Sequence, residues 1–144
     1  MNIVVDANIT VALFVNLPYS SQSEGLFRLW RKQDVQLHAP ALWPAEVVSV
    51  LRKMVAVGQM SSDDARLALA SLERIPIQVT LPDLGLLDSS LLWAGRLNQT
   101  VSHDAQYVAL TESISAEFWT ADQRLINSLE HLNVSWAHWV ENTS

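Results

Sequence analysis

Cysteine is absent from this 144-residue chain. Disulfides, thiolate metal ligands and a cysteine nucleophile are therefore all excluded, and the absence fits a reducing compartment. Basic residues are scarce: 9 Lys and Arg stand against 15 Asp and Glu, for a net charge of −6. Phosphate binding normally draws on a basic surface, so the balance argues against tight, non-specific binding of nucleic acid without excluding catalysis on it. Arg28, Arg31 and Lys32 in one segment, and Arg52 and Lys53 in another, are the candidates for a basic strip. No uncharged apolar run approaches the roughly 20 residues of a membrane span. The start, Met1-Asn2-Ile3-Val4-Val5-Asp6, lacks the basic n-region of a signal peptide and breaks its apolar run early. A cytoplasmic location without membrane attachment is expected. Repeats, linkers and low-complexity segments are missing too. With 49% hydrophobic and 17% charged residues, the composition is that of a folded chain, and its length predicts one domain over residues 1–144.

Strand-like and helix-like segments alternate throughout, predicting an α/β fold with a parallel sheet between layers of helices. Ile3–Val5 reads as the first strand. Beyond a loop around Pro18, Ser21 and Glu24 have the S-x-x-E spacing of a capping box, predicting a helix to about Lys32. Val35–His38 reads as a second strand stopped by Pro40. Pro44 suits a first helical turn and Gly58 a stop after Val57. Ser61 and Asp64 open another helix, and Pro76 precedes a third strand, Ile77–Thr80. Helices are predicted over Leu84–Leu97 and Asp104–Ile114, a strand over Glu117–Thr120, a helix over Gln123–Leu132 and a weak last strand over Val134–Trp136.

Four acids stand out in this frame. Asp6 ends the run Ile3-Val4-Val5, and Asp122 follows Phe118-Trp119-Thr120-Ala121. Both therefore fall at carboxyl ends of strands, where open parallel sheets bind ligands at a switch in strand order. Glu46 lies near the start of its helix and Asp104 heads another, so both face the same rim if the first and fourth strands are neighbours. Helix N-termini also direct free N–H groups outwards, which suits anionic substrate oxygens. Converging buried carboxylates are costly unless a cation or partner compensates them. Hard cations such as Mg²⁺ take oxygen ligands and bind through a few carboxylates plus water and substrate phosphates. Metal-assisted phosphodiester chemistry is the reaction class this pattern favours.

The ordered motifs Ile3-Val4-Val5-Asp6-Ala7-Asn8, Pro44-Ala45-Glu46-Val47, His103-Asp104-Ala105-Gln106-Tyr107-Val108-Ala109-Leu110 and Phe118-Trp119-Thr120-Ala121-Asp122-Gln123-Arg124-Leu125 resemble those of PIN-domain nucleases, most of all the ribonuclease toxins of VapC type. The resemblance runs over nearly the whole chain. It implies a three-layer α/β/α sandwich around a short parallel sheet, and cleavage of RNA dependent on Mg²⁺ or Mn²⁺. The family's catalytic and metal-binding acids fall on Asp6, Glu46, Asp104 and Asp122. Asn8 stands where relatives often carry Ser, Thr or Asn, and Thr120 where they carry a small hydroxyl residue. The chain departs from some relatives in having Gln123 and Arg124, rather than a second acid, just after Asp122; this bears on whether two ions bind. The family also implies a small antitoxin partner that crosses the acidic rim.

Blander roles stand beside these. Asp6, Asp104 and Asp122 each suit a helix N-cap, and Glu46 suits a first turn through the helix dipole. Thr120 is at home in any strand. Lys53 lies two helical turns from Glu46, placed to guide a phosphate, yet also reads as a solvated helix face. His103 reads as a solvated loop histidine. The six Trp residues suit core or interface packing better than base stacking, and Trp136 and Trp139 near the C-terminal end point to a homodimer. Two rival functions remain in view. Asp6-Ala7-Asn8-Ile9-Thr10 nearly spells the D-x-D-x-T motif of haloacid-dehalogenase-type phosphatases, with Asn8 replacing the second acid. A catalytically inactive, metal-binding interaction domain is the other.

Overall fold

A computed structural model describes residues 1–143. The chain runs β1 (Asn2–Val5), α1 (Ala7–Val11), α2 (Ser20–Lys32), β2 (Gln36–Pro40), α3 (Trp43–Ala56), α4 (Ser62–Leu72), β3 (Ile77–Thr80), α5 (Leu84–Arg96), α6 (His103–Ser113), β4 (Glu117–Thr120), α7 (Gln123–His131) and β5 (Ala137–Trp139). The five strands form one sheet in the order β3-β2-β1-β4-β5, with every pair parallel. The strand order reverses direction between β1 and β4, which opens a crevice at their carboxyl ends.

Side chains alternating along β1 and β4 build a layer on each face. Val4 and Phe118 pack against Trp93 of α5, Tyr107, Val108 and Leu110 of α6, and Leu125 and Leu129 of α7. Ile3 and Val5 point the other way, onto Ile9 of α1 and Leu26 and Trp30 of α2. A third cluster joins Ala7 and Val11 of α1 to Val47 and Leu51 of α3 and Ala68 and Leu72 of α4. This is the expected sandwich of helices around a short parallel sheet.

Local chemistry explains where the elements differ from the sequence expectations. The one-turn helix α1 was not anticipated; it forms because Asp6 caps it, accepting from the Ile9 N–H at 2.9 Å. The expected Ser21–Glu24 capping box does not form. Helix α2 starts two residues earlier, its N-cap is Tyr19 without a side-chain bond, and Ser20 Oγ instead ties Val15 and Leu17 of the preceding loop. Pro40 does not stop β2 but is its last residue, in register with Thr80; a missing N–H is tolerated at a strand end. The last strand lies three residues beyond the predicted one, since Trp136 only supplies a carbonyl to the Phe118 N–H at 2.8 Å before pairing begins. The turns after α2, α5 and α6 and before β5 place Asp34, Asn98, Ser115 and Asn133 at positive φ.

Candidate active site at the carboxyl ends of β1 and β4

Asp6 leaves β1 as its strand pairs with β4, and it is 8% exposed. Oδ1 accepts from the Ile9 N–H, while Oδ2 accepts from the Thr120 hydroxyl at 2.5 Å and the Ala121 N–H at 3.0 Å. Burial nevertheless dominates: it raises the Asp6 pKa to about 6 against those hydrogen bonds, and the charge of Glu46 pushes it the same way. Thr120 itself is buried and its Oγ1 also accepts from the Asp122 N–H at 3.0 Å. The expected hydroxyl residue before the fourth acid thus links the first acid to the fourth.

Asp122 is the N-cap of α7. One oxygen, Oδ1, accepts from the Arg124 and Leu125 N–H groups at 2.9 and 3.2 Å, and the cap leaves Oδ2 for other work. Glu46 lies in the first turn of α3, and Asp104 in the first turn of α6, whose N-cap is Ser102 rather than Asp104. Glu46 Oε1 accepts from the Tyr107 hydroxyl at 2.6 Å, and Asp104 Oδ2 accepts from the Gln99 amide at 2.9 Å. Burial raises the Glu46 pKa, opposed by the Tyr107 bond and by the proximity of His103.

All four acids line one cleft of about 320 Å³, together with Asn8, Ser49, His103, Tyr107 and Thr120. Lys53 does not line it; that side chain is exposed farther along α3. Arg28 and Arg31 also lie elsewhere, at the rim of a separate cavity of about 570 Å³ that they share with Arg74 over Phe27 and Trp30. Two positions escaped the sequence reading. Gln99 carried no signal, whereas Tyr107 sits one helical turn after Asp104, a spacing that puts both on one face of α6.

Among the described residues, no three His, Asp or Glu side chains are drawn into a ready-made cage for an ion. The acids ring the cleft instead, and each has an oxygen engaged by a protein donor. No protein donor among the described residues reaches Glu46 Oε2, Asp104 Oδ1 or Asp122 Oδ2. Four carboxylates lining one cleft offer the oxygen donors that Mg²⁺ or Mn²⁺ takes, so the residues fit such an ion in their chemistry. They fit the phosphatase reading poorly: Asp6 is buried, with both oxygens hydrogen-bonded, rather than presented as a nucleophile.

Comparison with known proteins agrees with this geometry. The PIN domain family model matches residues 4–136. Ribonuclease VapC9 from Mycobacterium tuberculosis is 33% identical over 123 residues, covering 85% of this chain and 87% of that protein. In structure the chain is similar to PAE2754 from Pyrobaculum aerophilum, with a TM-score of 0.69 and 22% identity over 98% of this chain and 90% of that one. It is also similar to Mycobacterium tuberculosis VapC20, described as a sarcin-ricin loop cleaving toxin, with a TM-score of 0.62 and 15% identity over 88% of this chain and 94% of that one. With a family model spanning both strand-end acids and a relative of such identity over most of its length, the chain belongs to the PIN-domain family.

Proposed function

We propose that this protein is a divalent-metal-dependent endoribonuclease, the toxin of a toxin–antitoxin pair. The observation that carries the reading is the convergence of Asp6, Glu46, Asp104 and Asp122 on one cleft at the β1–β4 switch point. The ribonuclease and toxin descriptions of VapC9 and VapC20 support the same substrate class.

In this reading Asp6, through lone pairs its protein donors leave, and Asp104 would hold Mg²⁺ or Mn²⁺ most directly, with Glu46 and Asp122 as further ligands or through water. The bound ion supplies Lewis-acid polarisation of a phosphoryl oxygen, a lower pKa for the attacking water and charge neutralisation in the transition state. Thr120 keeps Asp6 and Asp122 at a fixed spacing. Glu46, with Oε2 unclaimed by protein donors, orients the attacking water and accepts its proton. Asn8, neutral and in the cleft, offers its amide N–H groups to substrate oxygens. Lys53, exposed on α3 beyond the cleft, guides the RNA backbone toward it. No covalent enzyme intermediate is needed.

The test is cleavage of a single-stranded RNA panel by purified protein in Mg²⁺ and in EDTA, beside Asp6→Asn. Product formation that requires Mg²⁺ and Asp6 supports the reading; cleavage untouched by EDTA or by the substitution overturns it. Co-expression with a candidate antitoxin encoded beside the gene tests the partner. Complex formation and relief of toxicity are expected, and neither occurring rules out the pairing.

A further inference from the structure

Glu46 enters the cleft from α3, but the group that fixes it comes from α6. The Tyr107 hydroxyl donates to Glu46 Oε1 at 2.6 Å, across 61 positions of sequence. Tyr107 is 3% exposed, and its ring stacks on Phe118 with centroids 5.9 Å apart and planes at 30°. The ring alone would satisfy the core, and Phe would serve there equally well. The hydroxyl is a separate matter, since burying it costs free energy unless it finds an acceptor. Its acceptor is a carboxylate, so the bond is charge-assisted and stronger than a neutral one.

Without that bond Glu46, half-buried at the cleft wall, would be free to turn about three side-chain torsions. With it, one oxygen is pinned and Oε2 is left for a ligand or a proton. Asp104 stands three residues before Tyr107 on the same helix. One rigid turn of α6 therefore sets both the position of Asp104 and, through the hydroxyl, the position of Glu46. We propose that Tyr107 is a positioning residue of the cleft, holding the Glu46 carboxylate at a fixed separation from Asp104 for metal binding and catalysis. The proposal rests on the metal-dependent nuclease reading and adds a residue to it.

The experiment compares wild type, Tyr107→Phe, Glu46→Gln and the double variant. Mn²⁺ binding to RNA-free protein is followed by the electron paramagnetic resonance signal of free Mn²⁺, and kcat and KM are measured on an RNA oligonucleotide in Mg²⁺. Groups that orient metal ligands typically contribute about 10- to 100-fold to affinity or activity. Tyr107→Phe is thus expected to lower kcat about tenfold and to weaken Mn²⁺ binding by a similar factor, with KM for RNA within about twofold. In the Glu46→Gln background the same substitution is expected to change little. Wild-type values for both Mn²⁺ binding and kcat in Tyr107→Phe overturn the proposal, as does an undiminished loss in the Glu46→Gln background. If Tyr107→Phe fails to fold, Glu46→Asp keeps the charge but withdraws it from the hydroxyl; loss of Mn²⁺ affinity and kcat supports the proposal, and wild-type behaviour overturns it. A wild-type protein that neither binds Mn²⁺ nor cleaves RNA instead overturns the nuclease reading, and the proposal with it.

Discussion

The Thr120 hydroxyl donates to Asp6 Oδ2 at 2.5 Å, joining the ends of β4 and β1 across 114 positions of sequence. Thr120 Oγ1 also accepts from the Asp122 N–H, so one buried hydroxyl serves both strand-end acids. Replacing it by a methyl group leaves the part-buried Asp122 N–H without its acceptor and the buried Asp6 carboxylate with one donor fewer. Thr120→Val, matched in shape, is expected to destabilise the fold by about 1–3 kcal/mol. Thr120→Ser, which keeps the oxygen, is expected to recover most of that loss. Urea denaturation of the three proteins checks it, and equal midpoints for the Val variant and wild type would show that the bridge contributes nothing.

Asp6 makes the metal-free fold sensitive to pH in a direction opposite to that of most carboxylates. Its folded pKa of about 6 lies above the ordinary 3.8. Between those values the folded state holds a proton that the unfolded state has released. Its contribution is therefore fully present below about pH 4 and is lost as pH rises through 6. Two units correspond to roughly 3 kcal/mol. Without metal, the slope of stability against pH between 4 and 6 is expected to be more positive in Asp6→Asn than in wild type, because that variant lacks the falling contribution. Parallel slopes in urea melts across this range would show that Asp6 does not titrate there. An Asn at this position cannot accept from Ile9, Thr120 and Ala121 with both terminal atoms, so the substitution also costs a hydrogen bond.

A bound cation would reverse that sensitivity. Selective binding to the folded state stabilises it by about 2.7 kcal/mol when free Mg²⁺ is a hundredfold above its dissociation constant. Protons compete for Asp6, so the gain is expected to be large at pH 7.5 and to fade as pH drops through about 6. Thermal melts with millimolar Mg²⁺ or Mn²⁺ test this directly. Asp6→Asn and Asp104→Asn are expected to show little of the shift, and a wild-type melting temperature indifferent to both ions would count against the metal role.

The frame and the meeting of the four acids at one cleft were legible in the sequence because they rest on local rules. Short apolar runs gave β1, β3 and β4, and an acid after each of two neighbouring strands marked the crevice. Ser61 caps α4 through the Asp64 N–H, as its spacing suggested. What was hidden depended on tertiary partners. Ser20, not Ser21, found work at the start of α2 because Val15 and Leu17 lay within reach. Strand β5 began only where the β4 register allowed, since an edge strand takes its position from its neighbour. Gln99 holds Asp104 through a contact that no periodicity announces, and helical spacing places Tyr107 beside Asp104 without naming Glu46 as its acceptor.

The tryptophans near the C-terminal end that suggested a homodimer are largely packed within the chain. Trp136 packs edge-on against Trp93, and Trp139 joins the cluster under α2; neither is freely exposed. Exposed apolar side chains are spread over several elements, and α5 carries an aligned set of them. Leu84 is 82% exposed and Leu91 71%, with Leu87 between them. Their spacing of three and four residues aligns them in a stripe on one helix face, and such a face is typical of a partner surface. We expect the homodimer to form through this stripe. Leu87→Glu combined with Leu91→Glu would place charges in the centre of the contact, where desolvation is most costly. Light scattering is expected to report a dimer for wild type and a monomer for the double variant, with unchanged circular dichroism. A wild-type monomer at every concentration refutes the dimer, whereas a double variant that remains dimeric moves the contact to another face.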